Sequence, residues 1–90
     1  MTNSEVIEKF VNKQTAHGSS LYSTGVRLVH YCTTIAEWKD NEMLVNVTKY
    51  SASTSKWRNE LLYLLNNRSK NKAIRYKKLD NIPINTNSLI

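Results

Sequence analysis

Residues 43–66 constrain the chain more than any other stretch. An alternating strand, a polar turn and the one clearly amphipathic helix follow one another there. Met43, Val45 and Val47 fall on one strand face and Asn46 and Thr48 on the other, the period of two of a half-buried strand. In the helix, Trp57, Leu61, Leu64 and Leu65 stand at i, i+4, i+7 and i+8, one apolar stripe, with Lys56, Arg58, Asn59 and Glu60 off it. Between them lies SASTS, residues 51–55, where Ser51, Ser53 or Thr54 could cap the helix by accepting from an orphan backbone N–H. The rest of the chain reads as material laid against this β–turn–α unit.

The chain has 90 residues, room for one domain with a modest core. Its net charge of +6 is unevenly spread. Residues 1–45 hold four Lys/Arg against five Asp/Glu, while residues 46–90 hold nine against two. A basic half favours polyanions such as nucleic acid, or an acidic protein surface, through salt-sensitive attraction; the plainer reading is a solvated Lys/Arg tail. A single cysteine, Cys32, excludes an intramolecular disulfide and suits a reducing compartment. No run approaches the ~18 apolar residues of a membrane span, and MTNSEVIEKF lacks a signal-peptide core, so the expectation is a cytoplasmic protein of a host cell with no membrane partner.

Residues 3–15 are predicted to form a first helix, opened by a Thr2/Glu5 capping box and carrying Val6, Ile7, Phe10 and Val11 on one side. Residues 16–20 read as a breaker with Gly18 as helix C-cap. Short strands follow at 21–24, 26–32 and 35–38, and the four residues 39–42 form a hairpin loop into 43–49. In the 26–32 strand, Leu28 and His30 face one way and Arg27, Val29 and Tyr31 the other, with neither face purely polar, as in a strand covered on both sides. The expected fold is α+β: an antiparallel sheet of three to four strands packed by a helix at about 54–66 and by the N-terminal helix. Residues 1–66 make the domain, and 67–90 a basic arm that is flexible or ordered by a partner.

Chemistry-bearing groups are sparse. His30 and Cys32 are strand neighbours at i, i+2, but two ligands do not make a zinc site and no third group orients a Cys–His pair. A sheet histidine beside an apolar thiol is the simpler account. His17 reads as a turn or surface residue, and Glu37, Asp40 and Glu42 as a solvated loop cluster. No phosphate loop, nucleophile elbow or paired-carboxylate motif occurs, so neither catalysis, a metal nor a cofactor is expected. Trp38 and Trp57 are assigned to the core. The informative cluster is Lys49, Ser53, Thr54, Ser55, Lys56 and Arg58 around a helix start, where unpaired N–H groups and the dipole favour phosphate; the competing reading is that Ser and Thr serve only as caps. Arg68, Lys70, Lys72, Arg75, Lys77 and Lys78, with Tyr76 interleaved, form a second cationic group suited to phosphates and stacked bases, or simply to solvation.

The positions His17, Leu21, Ser23–Thr24–Gly25, Thr34–Ile35–Ala36, Asn46, Thr48–Lys49–Tyr50–Ser51 and Thr54–Ser55–Lys56 carry a resemblance. Residues 17 to about 61 resemble a family of small, mostly uncharacterised proteins of bacteriophages and their hosts. Members often carry His where this chain has Trp57, so no role resting on that His transfers. The resemblance implies a phage-type setting, in which short basic proteins bind nucleic acid or block a host or defence protein.

These readings lead to a non-enzymatic nucleic-acid-binding protein, for DNA or RNA, using the helix start and the arm. The alternative is a phage-encoded inhibitor, of anti-CRISPR or other anti-defence type, that contacts a host protein through exposed groups such as Leu62 and Tyr63. A hydrolase using His17 or His30 is the third. Strand edges would also permit a homodimer.

Overall fold

In the computed structural model the described residues are 1–31, 33–48, 52–66, 75–80 and 82. The chain opens with helix α1, Asn3–Val11. Its start is the capping box read from sequence: Glu5 N–H donates to Thr2 Oγ1 (3.2 Å) and Thr2 N–H to Glu5 Oε1 (2.9 Å). That pairing holds the exposed Glu5 carboxyl below its ordinary range, through the backbone bond first and the hydroxyl second. The helix ends four residues earlier than the predicted 15, because Asn12 caps it and Lys13 turns the chain with φ 59°.

A sheet of six strands follows, in spatial order β1 to β6. These are β1 (Thr15–His17), β2 (Leu21–Thr24), β3 (Arg27–His30), β4 (Thr33–Lys39), β5 (Glu42–Asn46) and β6 (Arg75–Leu79). The first five pair antiparallel with their neighbours, and β6 runs parallel to β5. Each hairpin has a local cause. Between β2 and β3, Gly25 takes φ 92°, left-handed backbone that a Cβ disfavours, and Thr24 Oγ1 accepts from the Val26 and Arg27 amides. Between β4 and β5 the loop is tighter than predicted: Lys39 pairs with Glu42, and Asp40 turns the chain at φ 56°. A register shift between Leu28 and Val29 brings Ala36 opposite Leu28 and Thr34 opposite Val29, which turns Ile35 into the core with Ala36.

Helix α2, Ala52–Asn66, is the crossover between β5 and β6. Parallel neighbours require a connection of this kind, whereas the antiparallel strands close through short turns. α2 starts at Ala52, so Ser53 and Thr54 lie inside its first turn rather than at its cap, and Ser51 lies outside the described residues. Val6, Ile7, Phe10 and Val11 of α1 join Leu61 and Leu65 of α2 on one sheet face, over Leu21, Leu28, Ile35, Met43 and Val45. Trp38 and Trp57 are half-buried against this core, in line with their assignment. By register, Val29, Glu37, Leu44 and Asn46 occupy the other face, and all four are buried.

The α+β class holds, but the sheet has six strands rather than three to four. The two additional strands are the edges. In the sequence β1 reads as helix end and breaker, and β6 as part of the arm. β1 is only three residues long and β6 carries three cations, since an edge strand buries little and tolerates Lys and Arg.

Gly18 lies in the turn between β1 and β2 instead of capping α1, and its N–H donates to Leu21 O (2.8 Å). A Cβ there would overlap Asn3 Oδ1 and crowd Val6 Cγ2 at 3.1 Å. Asn3 cannot readily swing away: it is buried, its Nδ2 donates to Ser20 Oγ (3.0 Å), and its Oδ1 accepts from Ser20 N–H (3.4 Å). Gly18→Ala is therefore expected to lower stability by about 1–3 kcal/mol, read as an earlier urea midpoint at unchanged slope.

Candidate nucleic-acid interface

The cationic groups singled out in the sequence come from α2 and β6, and the end of β5 joins those elements. Val47 N–H donates to Leu79 O (2.7 Å), and Ile82 N–H donates to Thr48 Oγ1 (2.8 Å). Arg58 reaches the same two residues from α2: Nη1 donates to Val47 O (3.0 Å) and, at 3.5 Å, to Thr48 O. Its Nε and Nη2 both donate to Asn59 Oδ1, at 3.3 and 3.1 Å. The helix start and the C-terminal end of β6 thus converge on Val47–Thr48. Arg58 is half-exposed and held in place by this clamp.

Around that junction the remaining residues divide. Ser53 and Lys56 are exposed and Ser55 is half-buried. Lys56 Nζ sits 4.7 Å from the centroid of the Trp57 ring, a cation–π contact that lays the ammonium on the helix surface. Arg75, Lys77 and Lys78 are exposed along β6, with Tyr76 between them half-buried and its hydroxyl donating to Asn66 Oδ1 (2.8 Å). Pairing with Glu42 and Leu44 puts Arg75 and Lys77 on the face away from the helices, whereas Lys78 lies opposite Val45. Lys49, Arg68, Lys70 and Lys72 lie outside the described residues, as does Cys32.

Thr54 is placed differently from the rest of its cluster. It is buried, and its Oγ1 stands 2.9 Å from His30 Nδ1, a hydrogen bond between α2 and β3. Burial pushes the His30 imidazole below its ordinary range, because desolvation penalises the charged form. Nothing in the sequence links positions 24 apart, so this pair was not legible there. His17, at the end of β1, is exposed and stacked on Tyr22 at 5.3 Å between centroids.

The acidic cluster is split as well. Asp40 is exposed and Glu42 half-buried, in a shallow polar hollow with Lys39, Asn41 and Arg75. Glu37 is no loop residue: it is only 2% exposed, within strand β4, with Oε1 3.4 Å from Arg27 Nε. Among the described residues no three His, Cys, Asp or Glu side chains come together as metal ligands, and no helix is long and apolar enough to cross a membrane.

No protein-family model matches the chain, and neither does any curated protein or solved structure.

Thr54→Val preserves shape while leaving the buried His30 Nδ1 without its hydroxyl partner. The expected cost is about 1–3 kcal/mol of folding stability, measured by denaturant unfolding at neutral pH, where Thr54→Ser should recover most of it.

Proposed function

We propose that this chain is a non-enzymatic nucleic-acid-binding protein that contacts phosphates with β6 and the first turns of α2. The observation that carries the reading is the convergence at Val47–Thr48. There the hydrogen bonds of Leu79, Ile82 and Arg58 join the strand bearing Arg75, Lys77 and Lys78 to the helix bearing Ser53, Ser55 and Lys56. The exposed cations are spaced along extended backbone, where i and i+2 stand roughly 6.6 Å apart on one face. They supply charge for counterion release, and the hydroxyls supply neutral donors to phosphate oxygens. These are backbone-positioning contacts, so the reading implies little base preference. The setting is the phage-type one that the resemblance implies, with DNA and RNA as alternative partners.

A second reading, direct inhibition of a host or defence protein, draws on Tyr63, which is 70% exposed on α2 beside half-buried Leu62. An aromatic of that size suits the apolar centre of a protein interface. Affinity for such a partner would respond weakly to salt.

The deciding measurement is a fluorescence titration against short single- and double-stranded DNA and RNA at about 50 and 200 mM salt. Binding is expected to weaken steeply between the two, with a slope of roughly 0.7–0.9 per phosphate contacted. Changing Arg75, Lys77 and Lys78 together to Ala should flatten that slope by about two to three and cost at least tenfold at the lower salt. Lys56→Ala should cost less, removing one contact. Absence of saturable binding to all four nucleic acids at low salt would reject the proposal and leave the protein-inhibitor reading.

A further inference from the structure

Residues 52–56, the first turn of α2, have a single buried anchor, ahead of Trp57, half-buried against the core, and Arg58, bonded to Val47 O and Thr48 O. Thr54 is the one residue of 52–60 that is buried, whereas Leu61 and Leu65 bury the second half of the helix. The partner of Thr54 is His30, 3% exposed and itself titratable. Around His30, β2 offers Leu21 and β4 offers Thr33 as register partners, and α1 turns Val6, Ile7 and Phe10 toward the sheet. Tyr31 lies against the imidazole at 4.6 Å between ring centroids. From α2 come the helix N-terminus, with no acidic residue in its first turn, and the cations Lys56 and Arg58 further along. Among the described residues no charged group offsets the burial of His30.

A neutral imidazole suits this environment, since in either tautomer Nδ1 can share one hydrogen bond with the Thr54 hydroxyl. An imidazolium does not suit it. It would be a buried charge with two N–H donors beside the positive end of a helix dipole. Opening the weakly anchored helix start is the least disruptive way to hydrate it, because the sheet contacts of β3 would all have to break otherwise.

We propose that the His30–Thr54 contact is a pH-operated latch: protonation of His30 frees the first turn of α2 while the sheet, the Trp57 and Arg58 contacts and the Leu61–Leu65 half of the helix stay in place. The linkage has a definite sign. Neutral His30 is favoured by folding, so the stability it contributes is complete above the unfolded-state value of about 6.5 and is lost as pH falls from there toward the folded-state value. The consequence for nucleic acid rests on the function proposed above, because Ser53, Ser55 and Lys56 ride on the part of α2 that opens. The latch itself does not depend on that function.

The test is therefore made without nucleic acid, on the full ¹⁵N-labelled chain titrated from about pH 7.5 to about pH 5 by NMR. His17→Gln, a change at an exposed residue, assigns the remaining imidazole signal to His30. The amides of residues 52–56 are expected to shift or broaden with the midpoint of His30, below about 6.5, while those of Ala36 and Val45 hold. In His30→Gln this step should vanish. Persistence of the step in that variant would overturn the proposal. So would titration of His30 with no response from residues 52–56. Should His30→Gln fail to fold, the unmodified chain still decides: one common midpoint for α2, Ala36 and Val45 would be global acid unfolding and would reject the latch. Loss of nucleic-acid affinity is scored separately, so failure of the functional proposal leaves these signals unchanged.

Discussion

Parallel pairing of β6 with β5 sets the requirements that the rest of the molecule meets. Adjacent parallel strands cannot be joined by a tight turn, so the chain must travel the length of the sheet before returning. α2 occupies that crossover and brings Leu61 and Leu65 onto the same sheet face as α1. The core is then a single layer of helices on a sheet, with Phe10, Leu28, Met43 and Leu61 at its centre. The crossover also delivers β6, with its cations, to an edge, where Lys and Arg remain hydrated and discourage pairing with another sheet.

Buried polar groups fix the geometry of this layer. Trp38 Nε1 donates to Phe10 O (3.0 Å) near the end of α1, and Lys13 lies over the same indole at 4.8 Å. Asn46 Nδ2 donates to Thr34 O (3.0 Å), while its Oδ1 accepts from Thr48 N–H (3.0 Å), which ties β5 to β4 and shapes the exit toward α2. Asn3 fastens the start of α1 to the turn before β2. Apolar contacts alone would tolerate sliding of helices across the sheet; each of these side chains would lose its hydrogen-bond partner in such a shift. Arg58 does the same for α2, and this constrains a residue that its charge alone would assign to a ligand.

The interface region illustrates how charge and position separate. Thr54 and Lys56 are two residues apart and looked equivalent in the sequence, yet one faces the core and bonds His30 while the other is exposed. A helix rotates about 100° per residue, so neighbours within one polar cluster inevitably face different surroundings. Hydroxyl and amino groups advertise capacity for hydrogen bonding; burial decides which partner they find.

Local patterns were legible from the sequence because their causes are local. The Thr2/Glu5 cap, the Leu61/Leu65 stripe and the turn at Gly25 follow from dihedral preferences and a period of 3.6 residues, whereas 43–46, expected as a half-buried strand, is buried on both faces. Edge strands this short, with little buried area, carry no period long enough to read, and so β1 and β6 emerged only with the sheet. The sequence by itself determined the α+β class, the helical and strand character of 43–66 and the concentration of positive charge in the second half. Only the tertiary structure decided that Glu37 is buried beside Arg27, that His30 meets Thr54, and that Arg58, Leu79 and Ile82 meet at Val47–Thr48. Each of those contacts joins residues distant in the chain, and what brings them together is burial of the shared core, a property of the whole fold rather than of any segment.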